Sequence, residues 1–419
     1  MTVPGLLPHR AALDNGAVVI VKETHKTPVV ALNVAVRAGS ICDPADRPGA
    51  MYLLSRVIDR GTARRPGDEI AEALDSRGIS LTITVTRHQL TAVCTCLAED
   101  FNEVLTLVGE VMMMPTVPDA DTETRKGEVI TAIRQDQDNP AVRAVEGLMA
   151  ALYGPTHPYG RPQKGTIASV EASSALELRR LHAETFGPGR LSAVIVGDVD
   201  TGRAVDVAGR VFAGWQVSES KVVMPPTPSP SGARRRIVVP MMNKAQADIA
   251  YGFVSIRRSD PGYYTHLLLN NALGQYALGG RLGDNIRERQ GMAYYVSSIL
   301  DANLIPGPLL IRAGVSAANV DRAIAAIDNE LTQLRTEGLT QKELTESRQF
   351  LIGSMPRALE TNAGIANFLQ IEEFFGLGLD YDRQLPQLLS AVTLEAVNAA
   401  AQALDPERAA IVIAGPYQE

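Results

Sequence analysis

The chain has 419 residues, of which 45% are hydrophobic and 21% charged, with 35 glycines and 25 prolines. This composition excludes disordered, collagen-like and coiled-coil proteins and indicates a soluble globular protein large enough for more than one domain. Lys and Arg number 40 against 47 Asp and Glu, which gives a net charge of −7 without a long run of one sign. Binding to nucleic acid or to an anionic membrane is therefore not expected.

The cysteines and the N-terminus indicate the compartment. Cys42, Cys94 and Cys96 are too few for a disulfide framework in a chain of this length, so we predict buried thiols in a reducing environment. The N-terminus lacks the pattern of a signal peptide, and no segment offers about 18 unbroken apolar residues. These features predict a cytoplasmic protein that does not span a membrane.

The first half of the chain alternates between strand-like and helix-like segments. Strands are rich in β-branched residues, whereas helices repeat apolar residues at i, i+4 and end at glycine. In chain order these patterns predict strands at 17–23 and 29–39, helices at 50–59 and 67–78, a hairpin at 80–97, helices at 101–114, 119–137, 141–152 and 174–186, a strand at 191–197, and a helix that ends near Trp215.

A proline-rich segment divides this half from the next. We interpret residues 219–235 as a linker between an N-terminal domain, 1–218, and a C-terminal domain, 236–419, because prolines there interrupt both helix and strand. The second half repeats the first, with strands predicted at 236–240 and 246–255, helices at 260–273 and 279–289, strands at 293–301 and 308–315, and helices at 317–336 and 340–357. Gly78 and Gly291 each separate a helix from the strand that follows. The predicted fold class is therefore α+β, with two homologous domains that each back an antiparallel sheet with helices.

Four motifs resemble one family. They are GAMYLLSRVIDRGT (49–62), TRKGEVITAIRQDQDNP (124–140), HPYGRPQKGT (157–166) and LGGRLGDNIRERQGMAYYV (278–296). Their types and order are similar to those of the pitrilysin/insulinase family of inverted zinc peptidases, whose first motif reads G-x-x-H-x-x-E-H-x-x-x-x-G-T. The resemblance covers nearly the whole chain and is strongest to the short, two-domain branch, which includes mitochondrial processing peptidase and the bacterial two-subunit zinc peptidases.

The zinc site of that family is degenerate in this chain. The resemblance places Tyr52 and Arg56 at the two histidine positions, Ser55 at the general base, and Ala132 at the third-ligand position. Arg125 stands where an assisting glutamate is expected. None of these side chains replaces an imidazole or carboxylate ligand, and a guanidinium carries no free lone pair. We therefore predict that the chain binds no metal and is not an enzyme by itself.

Other catalytic groups are weaker candidates. No two of the six histidines have the spacing H-x-x-x-H, and His157 is best interpreted as a loop residue that positions the following helix. Ser55 has no histidine within three residues, which argues against a nucleophile, and Gly279–Gly280 lacks the lysine of a phosphate-binding loop.

The fourth motif retains the functional residues of the family. The resemblance implies that Arg287 and Tyr294 reach the substrate at the zinc, where a guanidinium and a phenol can donate hydrogen bonds to the scissile carbonyl. Tyr295 is the rival for the second role, because a shift of one residue changes the face of a strand.

The retained and lost residues together predict a non-catalytic subunit of a heterodimeric zinc metallopeptidase. It would pair with a homologous chain that has an intact His-x-x-Glu-His motif and the zinc, and would donate Arg287 and Tyr294 to the hydrolysis of peptides held in a chamber. The alternative is a structural or interaction protein of the same fold without a proteolytic role. A third hypothesis, new chemistry at Tyr52, Ser55 and Arg56, lacks a base.

Overall fold

The computed structural model describes residues 5–216, 224–228, 232–275 and 279–418. The chain forms two compact units, each assembled from three stretches of sequence. Unit 1 comprises Met1–Ile133, Pro162–Met224 and Pro356–Arg383, and unit 2 comprises Arg134–Arg161, Pro225–Met355 and Gln384–Glu419. Within the described ranges, no helix combines the length and the apolar content needed to cross a membrane.

Helices make up much of the described chain. They are α1 (Ala50–Val57), α2 (Gly67–Asp75), α3 (Phe101–Met113), α4 (Asp119–Gln137), α5 (Pro140–Tyr153), α6 (Ile167–Glu171), α7 (Ala175–Thr185), α8 (Thr201–Phe212), α9 (Tyr263–Asn270), α10 (Val320–Thr336), α11 (Gln341–Ala358), α12 (Asn362–Phe375), α13 (Tyr381–Ala391) and α14 (Leu394–Ala401). Two wider, π-helical segments, Asn271–Gln275 and Gly283–Arg289, stand where the sequence predicts ordinary helix.

Unit 1 is built on a six-stranded sheet. Its strands are β1 (His9–Ala12), β2 (Val18–Glu23), β3 (Val29–Val36), β4 (Thr82–Val85), β5 (Leu90–Leu97) and β6 (Leu191–Gly197), in the spatial order β1-β2-β6-β3-β5-β4. β2 and β6 are parallel and the other pairs antiparallel. Alternate residues of β3 join different cores: Leu32 packs with the helices that include α1 and α3, whereas Ala31 packs with α12. Both faces of β3 are covered, which explains why all of its residues except Asn33 are apolar.

Unit 2 repeats this topology. Its strands are β7 (Arg235–Pro240), β8 (Ala247–Val254), β9 (Ala293–Leu300), β10 (Pro308–Val315) and β11 (Ala410–Gly415), in the order β7-β11-β8-β10-β9. β7 and β11 are parallel and the rest antiparallel, which matches β2, β6, β3, β5 and β4 strand for strand. The predicted α+β fold with two similar halves is confirmed, but each sheet contains one parallel pair where an antiparallel sheet was predicted.

Glycines at equivalent positions support the internal repeat. Gly197 and Gly415 each end the central parallel strand with φ near +146° and +145°. A Cβ at Gly197 would lie 2.1 Å from the carbonyl oxygen of Val29, and one at Gly415 would lie 2.5 Å from the Cα of Ala247. Val29 and Ala247 are the first residues of β3 and β8. The same close backbone approach therefore recurs in both sheets, and only glycine fits it.

Two helices each pack on the sheet that is formed by the other half of the sequence. α5 packs on β8 and β11 in unit 2, whereas α12 packs on β3 and β6 in unit 1. Both have 14 residues, both have an N-cap side chain that accepts a backbone hydrogen bond, and both end at a glycine with positive φ. The compact units therefore differ from the predicted domains 1–218 and 236–419 by this reciprocal exchange. Of the predicted linker 219–235, only 224–228 and 232–235 lie among the described residues.

Candidate functional site

The first and third motifs meet through their glycines. Gly49 precedes α1 with φ 89°, and a Cβ there would lie 2.4 Å from the carbonyl oxygen of Lys164. Gly165 approaches the backbone of Pro48 in the same way, with a would-be Cβ at 2.1 Å from its oxygen. Asp43 completes this joint, because its carboxylate accepts the backbone N–H groups of Gly49 and Met51 at 2.7 Å each. These contacts fix the start of the helix that carries the degenerate zinc positions.

The residues of α1 at the aligned zinc positions either contact their own unit or face solvent. Tyr52 is half-buried and packs against the core of unit 1. The buried hydroxyl of Ser55 donates to the carbonyl oxygen of Tyr52 at 2.7 Å, which is the usual bond of a serine inside a helix. Arg56 is exposed. No base contacts Ser55 among the described residues, so the geometry gives it no nucleophilic role.

Arginines lie near Glu128, one helical turn before the position where the third ligand is expected. Ala132 on α4 is half-buried and offers no donor atom. One turn earlier, Glu128 is held by Arg125, with Nη1 2.5 Å from Oε2. The hydrogen bond from Arg125 lowers the pKa of Glu128 most, and the charges of Arg56 and Arg60 lower it further. Glu128 is thus the anion of an arginine cluster, which sequence reasoning missed.

This donor set does not fit zinc. Structural and catalytic zinc sites use at least three imidazole, thiolate or carboxylate ligands. Within the parts of the chain that the structure describes, no group of three or more His, Cys, Asp and Glu side chains could hold a metal ion.

In unit 2, the fourth motif forms a joint between the π-helical segment Gly283–Arg289 and β9. Gly291 adopts φ 61° at this joint, and its N–H donates to the carbonyl oxygen of Arg287 at 3.1 Å. Arg287 itself is exposed, and its nearest ionic partner is the adjacent Glu288 at 3.6 Å. The guanidinium is therefore only loosely engaged by its own unit.

A β-bulge sets the direction of Tyr294. In the ladder between β9 and β10, Gly314 pairs with Tyr295 and Val315 with Ala293, so Tyr294 is the extra residue. Ala293 and Val296, three residues apart, both enter the core of unit 2, which a regular strand could not achieve. The bulge leaves the side chain of Tyr294 81% exposed.

The hydroxyl of Tyr295 is hydrogen-bonded inside unit 2. Its hydroxyl donates a hydrogen bond to Oδ1 of Asp248 on β8, and Arg312 lies over its ring at 5.8 Å from the centroid. Burial, followed by the bond to Asp248, raises the pKa of the Tyr295 hydroxyl. Of the two tyrosines, Tyr294 is the one whose hydroxyl stands in solvent.

The histidine and cysteine predictions can be compared with the structure. His157 is buried and caps the turn Pro158–Gly160 through a hydrogen bond from the N–H of Tyr159, so its predicted positioning role is confirmed. Cys94 and Cys96 are buried free thiols on one face of β5, and burial raises the pKa of each to about 12. Cys42 is only partly buried, which differs from the prediction of a buried thiol.

Two family models match the chain. The model described as Insulinase (Peptidase family M16) matches residues 18–165, and the model described as Peptidase M16 inactive domain matches residues 174–351. Together they span most of the sequence, in the order of its two halves. The chain belongs to the insulinase (M16) peptidase family, as its motifs predict.

Individual relatives agree with this assignment. An uncharacterized zinc protease of Mycobacterium leprae is 27% identical over 97% of this chain and 92% of its own length. A protein of Helicobacter pylori named a non-peptidase homolog is 22% identical over 91% of this chain and 87% of its own. The crystal structure of a peptidase M16 inactive domain from Pseudomonas fluorescens superposes with a TM-score of 0.90 at 26% identity and covers 99% of each chain. The chain is thus similar both to proteins named as proteases and to proteins named as inactive.

Proposed function

We propose that this chain is the non-catalytic subunit of a two-subunit zinc peptidase. Its partner is a homologous chain with an intact His-x-x-Glu-His helix, which supplies the zinc and the general base. The two chains together enclose a chamber for peptides or unstructured segments, and this chain contributes Arg287 and Tyr294 to the partner's site. By itself it hydrolyses nothing.

The exposure of Tyr294 carries this proposal. A large aromatic side chain that is 81% exposed gains little hydrophobic stabilisation from folding, and Tyr294 lies at a β-bulge. The neighbouring Arg287 is likewise exposed and weakly paired. Tyr52, Arg56 and Ala132 leave the aligned zinc positions of this chain without a ligand, so a peptide held by these two donors would need a zinc from elsewhere. They are therefore best explained as groups for a site completed by another chain.

The chemistry of the pair fits peptide hydrolysis. During attack on a peptide, the carbonyl oxygen gains negative charge, and donors fixed before the reaction stabilise it. A phenol donates one such hydrogen bond, and a guanidinium can hold the neighbouring backbone carbonyls with two N–H groups. Neither group has to transfer a proton, so both can act from a subunit that carries no base.

The test begins with purification of the native chain from its source. A copurifying homologous subunit with His-x-x-Glu-His, and peptide hydrolysis that a chelator abolishes, supports the proposal. In the reconstituted complex, Arg287→Ala should reduce kcat/KM. Arg289→Ala is the matched control, because Arg289 lies in the same segment and pairs with Asp284 at 2.8 Å.

Two outcomes contradict the proposal. If the chain purifies alone, or in an assembly without zinc and hydrolysis, it is a structural protein of the same fold. If the complex is active but Arg287→Ala and Arg289→Ala behave alike, the proposal that Arg287 acts in the partner's site is wrong.

We place the complex in the cytoplasm, since three free cysteines suit a reducing compartment.

A further inference from the structure

A cavity of about 520 Å³ opens on the sheet of unit 1, beside the N-terminal half of α12. Its floor includes a row of paired residues across three strands, Asn33 on β3, Val93 on β5 and Thr82 on β4. Thr95 extends this floor along β5, and Asn367 lies on the helix wall. The volume lies within the range of roughly 300–1,000 Å³ that is typical of ligand pockets.

The lining of this cavity is polar but uncharged. None of its twelve residues is Asp, Glu, Lys, Arg or His, although charged residues form 21% of the chain. Hydroxyl and carboxamide side chains converge instead. They are Asn33, Ser80, Thr82, Thr95 and Asn367.

These polar side chains have unused hydrogen-bonding capacity. Asn33 is only 4% exposed, and its carbonyl oxygen Oδ1 is buried without a hydrogen-bond partner. The hydroxyls of Ser80, Thr82 and Thr95 are exposed and make no side-chain hydrogen bond within the described residues. A buried acceptor without a partner costs about 1–3 kcal/mol, so a ligand that donates to it gains affinity.

We propose that this cavity binds a neutral peptide segment whose central side chain is a carboxamide, glutamine or asparagine. A primary amide offers two donors and one acceptor, which complement the Asn33 carbonyl and the threonine hydroxyls. A charged side chain would lose hydration there without an opposite charge to compensate it. This inference deepens the proposed function, because it names the class of peptide that the chain holds.

The experiment titrates this chain alone, by NMR, with three probes: acetyl-Ala-Gln-Ala-amide and the same peptide with Glu or Lys at the centre. The glutamine probe is expected to bind at least about tenfold more tightly than either charged probe. Thr95→Val, which removes one lining hydroxyl and keeps the shape, should weaken the glutamine probe about three- to tenfold. Asn33→Asp should reverse the preference toward the lysine probe.

Thr91→Val is the matched control. Thr91 lies on the same strand and the same face as Thr95 but outside the lining. The inference is overturned if the three probes bind equally, if the glutamine probe does not saturate, or if Thr91→Val weakens binding as much as Thr95→Val does. Binding is measured without a partner, so the two proposals can fail separately. A complex that hydrolyses peptides but shows no preference for glutamine contradicts the proposed cavity ligand and leaves the proposed function intact. A chain that binds the glutamine probe selectively but has no peptidase partner contradicts the proposed function and leaves the cavity ligand intact.

Discussion

The hydroxyl of Tyr295 reaches Oδ1 of Asp248 across a strand that lies between them. In the sheet of unit 2, Gly314 of β10 pairs with Tyr295 on one side and with Asp248 on the other. A Cβ at Gly314 would lie 2.5 Å from Cε1 of Tyr295, so the ring needs a glycine in this place. Tyr295 therefore packs against the sheet and is hydrogen-bonded there, whereas Tyr294 faces solvent.

Tyr294→Phe should separate function from stability. It removes one hydroxyl from a side chain that is 81% exposed, so the melting temperature should not change. In the reconstituted complex, kcat/KM should fall by about 10²–10³, the usual effect of losing one donor to a developing oxyanion. Peptide hydrolysis and thermal unfolding measured on the same preparations test both halves of the prediction.

Tyr295→Phe is its counterpart and should give the opposite pattern. It leaves the buried carboxylate of Asp248 without this donor, which should lower the free energy of unfolding by about 1–3 kcal/mol. Hydrolysis well below the melting temperature should remain close to that of the unaltered complex. If Tyr295→Phe abolishes hydrolysis and Tyr294→Phe does not, the roles of the two tyrosines are exchanged.

The glycine pair of the two sheets gives a test of the internal repeat. Gly197→Ala and Gly415→Ala should each lower the free energy of unfolding by more than about 3 kcal/mol, because both force a Cβ into backbone at a left-handed φ. Gly127→Ala in α4 meets nothing within 4 Å and should instead stabilise the chain by about 0.5–1 kcal/mol. Denaturant unfolding measures all three. Tolerance of either strand-end variant would contradict the equivalence of the two positions.

Much of the fold could be predicted from local patterns, whereas the exchange of α5 and α12 could not. Apolar spacing locates a helix and its buried face, but it does not say which sheet covers that face. The bulge is hidden for a related reason. In the run AYYVSS, alternation alone predicts a regular strand, and only the burial of both Ala293 and Val296 reveals the extra residue.

The candidate site shows the same limit. Tyr52, Ser55, Arg56 and Ala132 follow from motif alignment, and so do Arg287 and Tyr294, because the family spacing fixes their positions. The link between Glu128 and Arg56 joins α4 to α1 and has no signature in either helix alone. Contacts between distant segments require the structure.

A buried carboxyl group predicts how stability depends on pH. Glu372 on α12 is 1% exposed, and burial, followed by the charge of Asp382, raises its pKa from 4.5 to about 8. The folded state therefore keeps a proton that the unfolded state has lost. The stability that this proton contributes is complete below pH 4.5 and is lost as pH rises toward 8, at up to about 1.4 kcal/mol per pH unit.

Glu372→Gln should remove this part of the pH dependence. The variant should be more stable than the unaltered chain at pH 8 and similar to it near pH 4.5, as thermal unfolding across this range can show. Glu360→Gln is the control, since Glu360 is exposed. Parallel pH profiles for the unaltered chain and Glu372→Gln would contradict the raised pKa.

Chelation should leave the unaltered chain unchanged, because Tyr52, Arg56 and Ala132 provide no ligands and arginines compensate Glu128. Metal analysis should find no stoichiometric zinc, and EDTA should not change the melting temperature.

A triple variant, Tyr52→His, Arg56→His and Ala132→Glu, restores the ligand types at the aligned positions. Zinc at about 100 times its dissociation constant should then stabilise that variant by about 2.7 kcal/mol, reversibly with EDTA, whereas Tyr52→His alone should show no response. A response to EDTA in the unaltered chain would contradict the loss of the site, and the absence of one in the triple variant would contradict the alignment of α1 with α4.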